Sequence, residues 1–474
     1  MSAANGIVFL EATELVRRIK AREISVAEVM DAHIAQIGRV NPAVNAIVTL
    51  DAEGARAAAR EADARLARGN ADGILFGLPT VVKDLVPTAG MRTTMGSPIY
   101  RDNVPATDGL IVQRMKAAGA IVIGKSNTPE FGAGSQTFNA VFGATRNPYD
   151  LSRTCGGSSG GAGVAVACGM APVADGSDLA ASLRNPGSFC NVVGFRPTPG
   201  RVPNWPAVNA WDTLATLGPM ARTVRDAALM MAAIAGPDAR APTSWPERGE
   251  TFLARLDRDL RGVRVAWSRT LGGLPVEPAV TAALEPARRA LEDLGCIVED
   301  AEPDFSGATE VFHTLRAHRF AQSHAALLDT HRDKLKATVI WNIEAGLRLS
   351  QQDVARAEAK RTAIFERLGR FFAKYEFLAC PVSQVVPFPV DVEYPIEIEG
   401  VRFDNYIDWM KSCYYVSVIA HPAISVPAGF TPGGLPVGLQ LVGRYRDDFG
   451  VLSVAHAFEQ ATRVGERRPP AALA

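Results

Sequence analysis

Three stretches of this chain carry residue types that could do chemistry together. The first is Cys155 to Gly161, CGGSSGG, in which Ser158 and Ser159 stand between glycines. Such a run can be a flexible linker, a cradle for phosphate, or a place where a hydroxyl acts as nucleophile. The second is Lys83 in LPTVVKDLV. Alternation along a strand sends Lys83 to one face and Asp84 to the other, so the lysine is either a charge at a solvent edge or a buried amine. Desolvation of a buried amine disfavours its charged form and lowers its pKa towards neutrality, where it can serve as a general base. The third is the stretch 176–190, GSDLAASLRNPGSFC, small residues followed by an arginine and a proline turn. It reads as a loop entering a helix, an arrangement whose backbone amides can face an anion.

Two pattern matches compete with a serine reading. Residues 119–126, GAIVIGKS, satisfy the phosphate-loop expression, but that loop must follow a strand and hold its amides free. Here the middle, AIVI, is itself strand-like and follows a helical stretch, so phosphate binding is not expected. Residues 156–160, GGSSG, satisfy the nucleophile-elbow pattern with Ser158 as nucleophile. An elbow follows a buried strand and needs a downstream acid and histidine. The preceding NPYDLSRT is turn-rich, and His421 and His456 both lie in apolar settings that suit packed histidines. His313, His318, His324 and His331 lie near one another in sequence, without the i,i+4 pair typical of helical zinc sites. They are expected as helix-surface residues, and no metal or cofactor is implied.

The elements that must position these residues follow from composition and pattern. Fifty basic residues balance fifty acidic ones in 474, with no long single-sign block, which argues against nucleic acid or a membrane surface as partner. Six scattered cysteines without a CxxC pair fit a reducing compartment. The opening MSAANGIVFLEATELVRR lacks a basic stretch followed by an apolar one, so a cytoplasmic protein is expected. Residues 1–70 read as helical, with Ser25 and Glu28 forming a capping box, a helix stopped by Gly38 and Pro42, and a second helix from about 51 to 68. From Ile74 short apolar runs alternate with helices: LPTVVKDLV, LIVQRMKAAG, AIVIGKS, and later GVRVAWS and CIVEDAEP. Strand, helix, strand is the α/β grammar. Residues 223–235 read as an apolar helix, 307–375 as charged helices, and 376–445 as strands again. No linker divides these parts, and one domain over 1–474 is expected, with 307–420 a variable portion shaping a pocket. Trp341, Tyr406, Trp409, Tyr414 and Tyr415 there suit either a pocket lining or an ordinary core.

Taken together, FGLPTVVKD, IVIGKSNTPEFG, GATRNPYD, CGGSSGGAG, the 176–190 loop, GFRPTPGRVP, GPMARTVRDAALMMAAIAG and GGLPVGLQLVGR resemble the amidase signature family in order and spacing. The resemblance implies an α/β fold with a large mixed, mostly parallel central sheet flanked by helices on both faces. It implies Ser182 as nucleophile, Ser158 as a bridging serine after a cis Gly157–Ser158 bond, and Lys83 as terminal base. The glycines would then let the chain turn tightly around Ser158. Backbone amides of Leu179, Ala180, Ala181 and Ser182 would form the oxyanion hole, with Ser159, Ser177, Asp178 and Arg184 in support. One departure stands out: the family usually has two glycines where this chain has Ala180 and Ala181. If either position needs positive φ, alanine costs about 1 kcal/mol, and the methyl groups would narrow the site. The implied activity is cleavage of C–N bonds in small uncharged amides, with esters and carbamates within reach of the same acyl-enzyme chemistry. Two alternatives accompany it: the amidase subunit of a tRNA-dependent amidotransferase, and a binding or scaffold homologue disabled by Ala180 and Ala181. The family suggests a monomer or homodimer.

Overall fold

The computed structural model describes residues 6–473. Its first elements are the helices Ala12–Lys20, Val26–Val44 and Ala52–Ala67. Ser25 caps the second: its hydroxyl accepts from the Glu28 amide, and the Glu28 carboxylate accepts from the Ser25 amide. That helix runs through Gly38 and Pro42, past the expected stop, because Val40 and Val44 pack into the core and tertiary burial outweighs local propensity. Strand β1 (Ile47–Leu50) then interrupts the portion read as wholly helical.

The remaining strands are β2 (Pro79–Lys83), β3 (Ile121–Ser126), β4 (Phe138–Asn139), β5 (Gly143–Ala144), β6 (Val173–Asp178), β7 (Val193–Arg196), β8 (Thr216–Ala221), β9 (Arg264–Trp267), β10 (Ile297–Asp300), β11 (Phe377–Pro381), β12 (Glu397–Ile398), β13 (Val401–Arg402), β14 (Ala423–Phe430) and β15 (Pro436–Gly443). Two small hairpins, β4 with β5 and β12 with β13, stand apart. The other eleven form one sheet in the order β1-β3-β2-β6-β8-β7-β14-β15-β11-β9-β10.

The large mixed sheet agrees with expectation, but "mostly parallel" is corrected. Parallel pairing is confined to β3-β2-β6 and β11-β9-β10. The other six neighbouring pairs are antiparallel. The reason is visible in the connections: β14 and β15 are joined by a tight turn in which Thr431 and Leu435 bond and Gly434 has φ +81°. A hairpin makes neighbours antiparallel, whereas parallel neighbours need a crossover.

Both sheet faces are covered. Phe377 and Ala379 join one apolar core while Leu378 and Cys380 join another, and Leu441 and Val442 divide the same way, as the two-residue period of a strand requires. The first core includes the helices Val26–Val44, Gly160–Ala167, Val224–Ile234 and Asp448–Thr462; the second includes Ala308–His331, Gln351–Lys374 and Lys411–Val418. All six cysteines are buried and unpaired. Among the described residues no helix is long and apolar enough to cross a membrane.

Candidate active site

The site forms where parallel strands β2 and β6 end. Lys83 is the last residue of β2, and the register that pairs Thr80 with Val173 brings it beside Asp175 and Ser177 of β6. Its side chain is fully buried. Nζ lies 2.7 Å from Ser158 Oγ, 2.9 Å from Ser159 Oγ and 3.0 Å from Ser177 Oγ. Burial lowers the Lys83 pKa to about 7, against the opposing pull of Asp175 and Asp178. The edge-charge reading of this lysine therefore gives way to the buried amine. Asp84 points elsewhere, accepting from the Thr94 hydroxyl at 2.5 Å.

Ser158 follows a cis Gly157–Ser158 peptide and stands one residue before Ser159, the N-cap of the helix Gly160–Ala167. The flanking glycines are there for closeness. Gly156 has φ +75°. A methyl group on Gly161 would meet the Asn127 nitrogen at 2.3 Å and the Ala46 carbonyl at 2.6 Å, backbone on both sides. Gly161→Ala is accordingly expected to cost about 2–3 kcal/mol, read as a lower midpoint in chemical denaturation; an unchanged midpoint would show that the surrounding backbone can give way.

Ser182 sits in the turn between β6 and the helix Arg184–Phe189, and its side chain is only slightly exposed. It shares one cavity of about 330 Å³ with Ser158, Ser177 and Leu179. Its hydroxyl has no hydrogen-bond partner among the described residues, and neither have the amides of Leu179, Ala180, Ala181 and Ser182. Neither Ala180 nor Ala181 has positive φ, so the backbone cost considered for these alanines does not arise. Their methyl groups are buried in the second core with Phe189 and Leu214.

Asp178 holds this turn. Its carboxylate accepts from Arg184 Nε at 3.0 Å, from Arg184 Nη2 at 2.9 Å and from the Leu183 amide at 3.1 Å. Arg196 reaches the same carboxylate at 3.3 Å and also bonds the Asp178 carbonyl. All three side chains are fully buried. Burial alone would raise the carboxyl, but Arg184 and Arg196 outweigh it and hold the group at about 2. The two arginines respond unequally. Burial lowers both, yet Arg184, gripped by both carboxylate oxygens, ends above its ordinary value, while Arg196 falls to about 10 beside Arg184 and Arg361.

Other expectations separate. The middle of GAIVIGKS is strand β3; Lys125 is buried and donates to the Val86 carbonyl and Thr88 Oγ1. His421 stacks on Phe372 and bonds the Ile419 carbonyl, and His456 lies by Glu459; neither lines the cavity. His313 bonds Asp408 at 2.7 Å, and His324 stacks on Phe131 with centroids 4.4 Å apart. No group of three His, Cys, Asp or Glu side chains that could hold a metal occurs among the described residues. Of the five aromatics, Tyr406, Trp409 and Tyr414 are buried in the second core, Tyr415 packs against it, and Trp341 is exposed; none lines the cavity. Its walls come instead from the stretch 200–217, from Phe131, and from one face of the helix Ala308–His331. Sequence reading set a pocket-shaping portion at 307–420, which contains this helix, but named other side chains there, and it missed the stretch 200–217, Phe131, Asp175 and Arg196. The available signals were the turn-rich VPNWPAVNAWD and the spacing of Arg316, Arg319, Phe320, Ser323 and His324, which recurs at three and four residues.

Comparison with known proteins gives one consistent answer. The model of the Amidase family matches residues 28–452. An acylamidase of Rhodococcus erythropolis is 36% identical over 469 residues, covering 98% of both chains. A glutamyl-tRNA(Gln) amidotransferase subunit of Carboxydothermus hydrogenoformans is 36% identical over 491 residues, covering 98% of this chain and 99% of its own. Among solved structures, a bacterial aryl acylamidase of the amidase signature enzymes superposes with a TM-score of 0.91 at 30% identity, over 97% of this chain and 98% of that one.

Proposed function

The chain belongs to the amidase family of carbon–nitrogen hydrolases, and from that premise we propose that it is a serine acylamidase cleaving small amides through an acyl-enzyme on Ser182. The observation that carries the reading is the 2.7 Å contact between the buried Lys83 Nζ and Oγ of Ser158, which lines the same cavity as Ser182. A neutral amine has two N–H donors and one lone pair. Its three contacts suit that form: Ser159 and Ser177 accept its two donors, and the lone pair faces the Ser158 hydroxyl. Lys83 takes the Ser158 proton as Ser158 takes that of Ser182, whose oxygen attacks the carbonyl. The resulting oxyanion lies against the free amides of residues 179–182, donors worth about 3–4 kcal/mol each when removed. The relay returns the proton to the leaving nitrogen, and water then releases the acyl group by the same steps. Esters and carbamates fall within the same chemistry.

The pH dependence follows with a definite sign. Below about 7 the lysine is an ammonium that cannot accept a proton, so kcat/KM on an acyl anilide should rise about tenfold per pH unit and level off above about 7. Lys83→Met should lose at least 10²-fold activity and the dependence with it. A flat wild-type profile between pH 5 and 9 would contradict Lys83 as base.

A second reading rests on the equal likeness to the amidotransferase subunit. It predicts glutamine-dependent ammonia release that appears only with partner subunits, whereas the acylamidase reading predicts anilide turnover by the isolated chain.

A further inference from the structure

Resting on the reading of this cavity as an amide-hydrolysing site, we propose that Arg316 forms a carboxylate-binding subsite within it, so that the substrates taken best carry an anionic group away from the scissile bond. This departs from the uncharged substrates expected from sequence. Five residues of the helix Ala308–His331, namely Arg316, Arg319, Phe320, Ser323 and His324, line the cavity that holds Ser158 and Ser182. Their spacing of three, four, seven and eight residues places them on one face of the helix.

Arg316 is 4% exposed. A guanidinium stays charged in any protein environment and rarely lies buried without an acceptor. Yet no carboxylate pairs with Arg316 among the described residues. Its one hydrogen bond runs from Nη2 to the Tyr406 hydroxyl, Nε is buried with no partner, and Phe320 lies under the cation at 4.6 Å. The neighbouring charges do not neutralise it. Asp212 is taken by Arg319. Burial, with Arg319 beside it, holds His324 at about 4, so it adds no charge at neutral pH. Nη1 makes no hydrogen bond among the described residues, and because Arg316 lines a cavity of substrate size, a carboxylate there can accept from it. The aromatic floor of Phe320 favours a flat or aliphatic spacer between that carboxylate and the amide.

The test compares matched substrates that differ only in this group. On the acyl side these are the para-nitroanilides of glutaric acid, with its second carboxylate free, and of pentanoic acid. On the leaving-group side they are N-acetyl-para-aminobenzoate and N-acetyl-para-methylaniline. In at least one pair the carboxylate should raise kcat/KM by about tenfold or more, mainly through KM. In Arg316→Gln the preference should fall to within about twofold, with Arg316→Lys recovering part of it. Neutral partners equal or better in both pairs, or a preference that survives Arg316→Gln, would overturn the subsite. Labelling of Ser182 by a fluorophosphonate separates the two failures. A labelled enzyme without carboxylate preference loses only the subsite, whereas an unlabelled one loses the nucleophile. Binding of free glutarate, read as a thermal shift in wild type that is absent in Arg316→Gln, decides the subsite without turnover; no shift in wild type counts against it.

Discussion

Ser182→Ala is expected to lower kcat/KM on any amide substrate by about 10⁴-fold or more while leaving thermal stability within about 1 °C. The two halves of this result have separate causes. Among the described residues Ser182 Oγ makes no hydrogen bond, and it lines the cavity, so its removal breaks no hydrogen bond there. On the proposed mechanism its loss nevertheless removes the atom that would carry the acyl group, and residual rate would come from binding and the amides of residues 179–182 alone. Because the proposed relay of Lys83 and Ser158 acts only through Ser182, Lys83→Ala added to Ser182→Ala should cost almost nothing more. Steady-state kinetics on one anilide, with a melting curve for each variant, checks all three statements. A Ser182→Ala enzyme retaining a tenth of wild-type activity would move the nucleophile elsewhere.

The second large effect is on stability. Asp178→Asn is expected to destabilise the fold by about 3–5 kcal/mol, the scale for breaking a buried ion pair from one side. The carboxylate is the one anion between two fully buried arginines, Arg184 and Arg196. Without it their charges face each other in a medium that screens them poorly. The same change loosens the turn, since the Leu183 amide and both Arg184 contacts end on Asp178, so activity should fall too. The sign of the pH effect can be worked out. The folded carboxyl stays ionised to about 2, while the unfolded one titrates near 3.8. A depressed folded pKa contributes stability that is present above the unfolded value and lost as pH falls through the folded one. Wild type therefore loses this contribution between about pH 4 and 2, and Asp178→Asn should lack that part of the acid limb. Urea denaturation of both proteins from about pH 7 down to about pH 2 measures it; equal stability at neutral pH would show that the arginines find other acceptors.

The sequence made some of this legible and not the rest, for physical reasons. Lys83, Ser158 and the 176–190 loop stand out locally, because small residues beside nucleophiles and a lysine inside an apolar strand are unusual at short range. Helix and strand runs such as TVRDAALMMAAIA and AIVIGKS carry their own periodicity and correspond to Val224–Ile234 and β3. Pairing direction was less legible. AISVPAGF and PVGLQLVG each read as strands, but the five residues TPGGL between them are what make β14 and β15 a hairpin. Contacts between distant segments left no local trace: Arg196 reaches Asp178 across the sheet, and Arg316 meets Tyr406 from ninety residues away. The alanines at 180 and 181 drew attention as a departure, yet their ordinary φ and buried methyl groups give them a plain packing role.

The central claim, an activated nucleophile at Ser182 served by Ser158 and Lys83, is tested most directly by exposing the protein to a small fluorophosphonate and mapping the adduct by mass spectrometry, with Lys83→Ala in parallel. The account predicts a single adduct on Ser182, formed faster as pH rises through about 7 and at least 10²-fold more slowly in the lysine variant. An adduct on Ser158, or labelling of Ser182 at the same rate without Lys83, would contradict it.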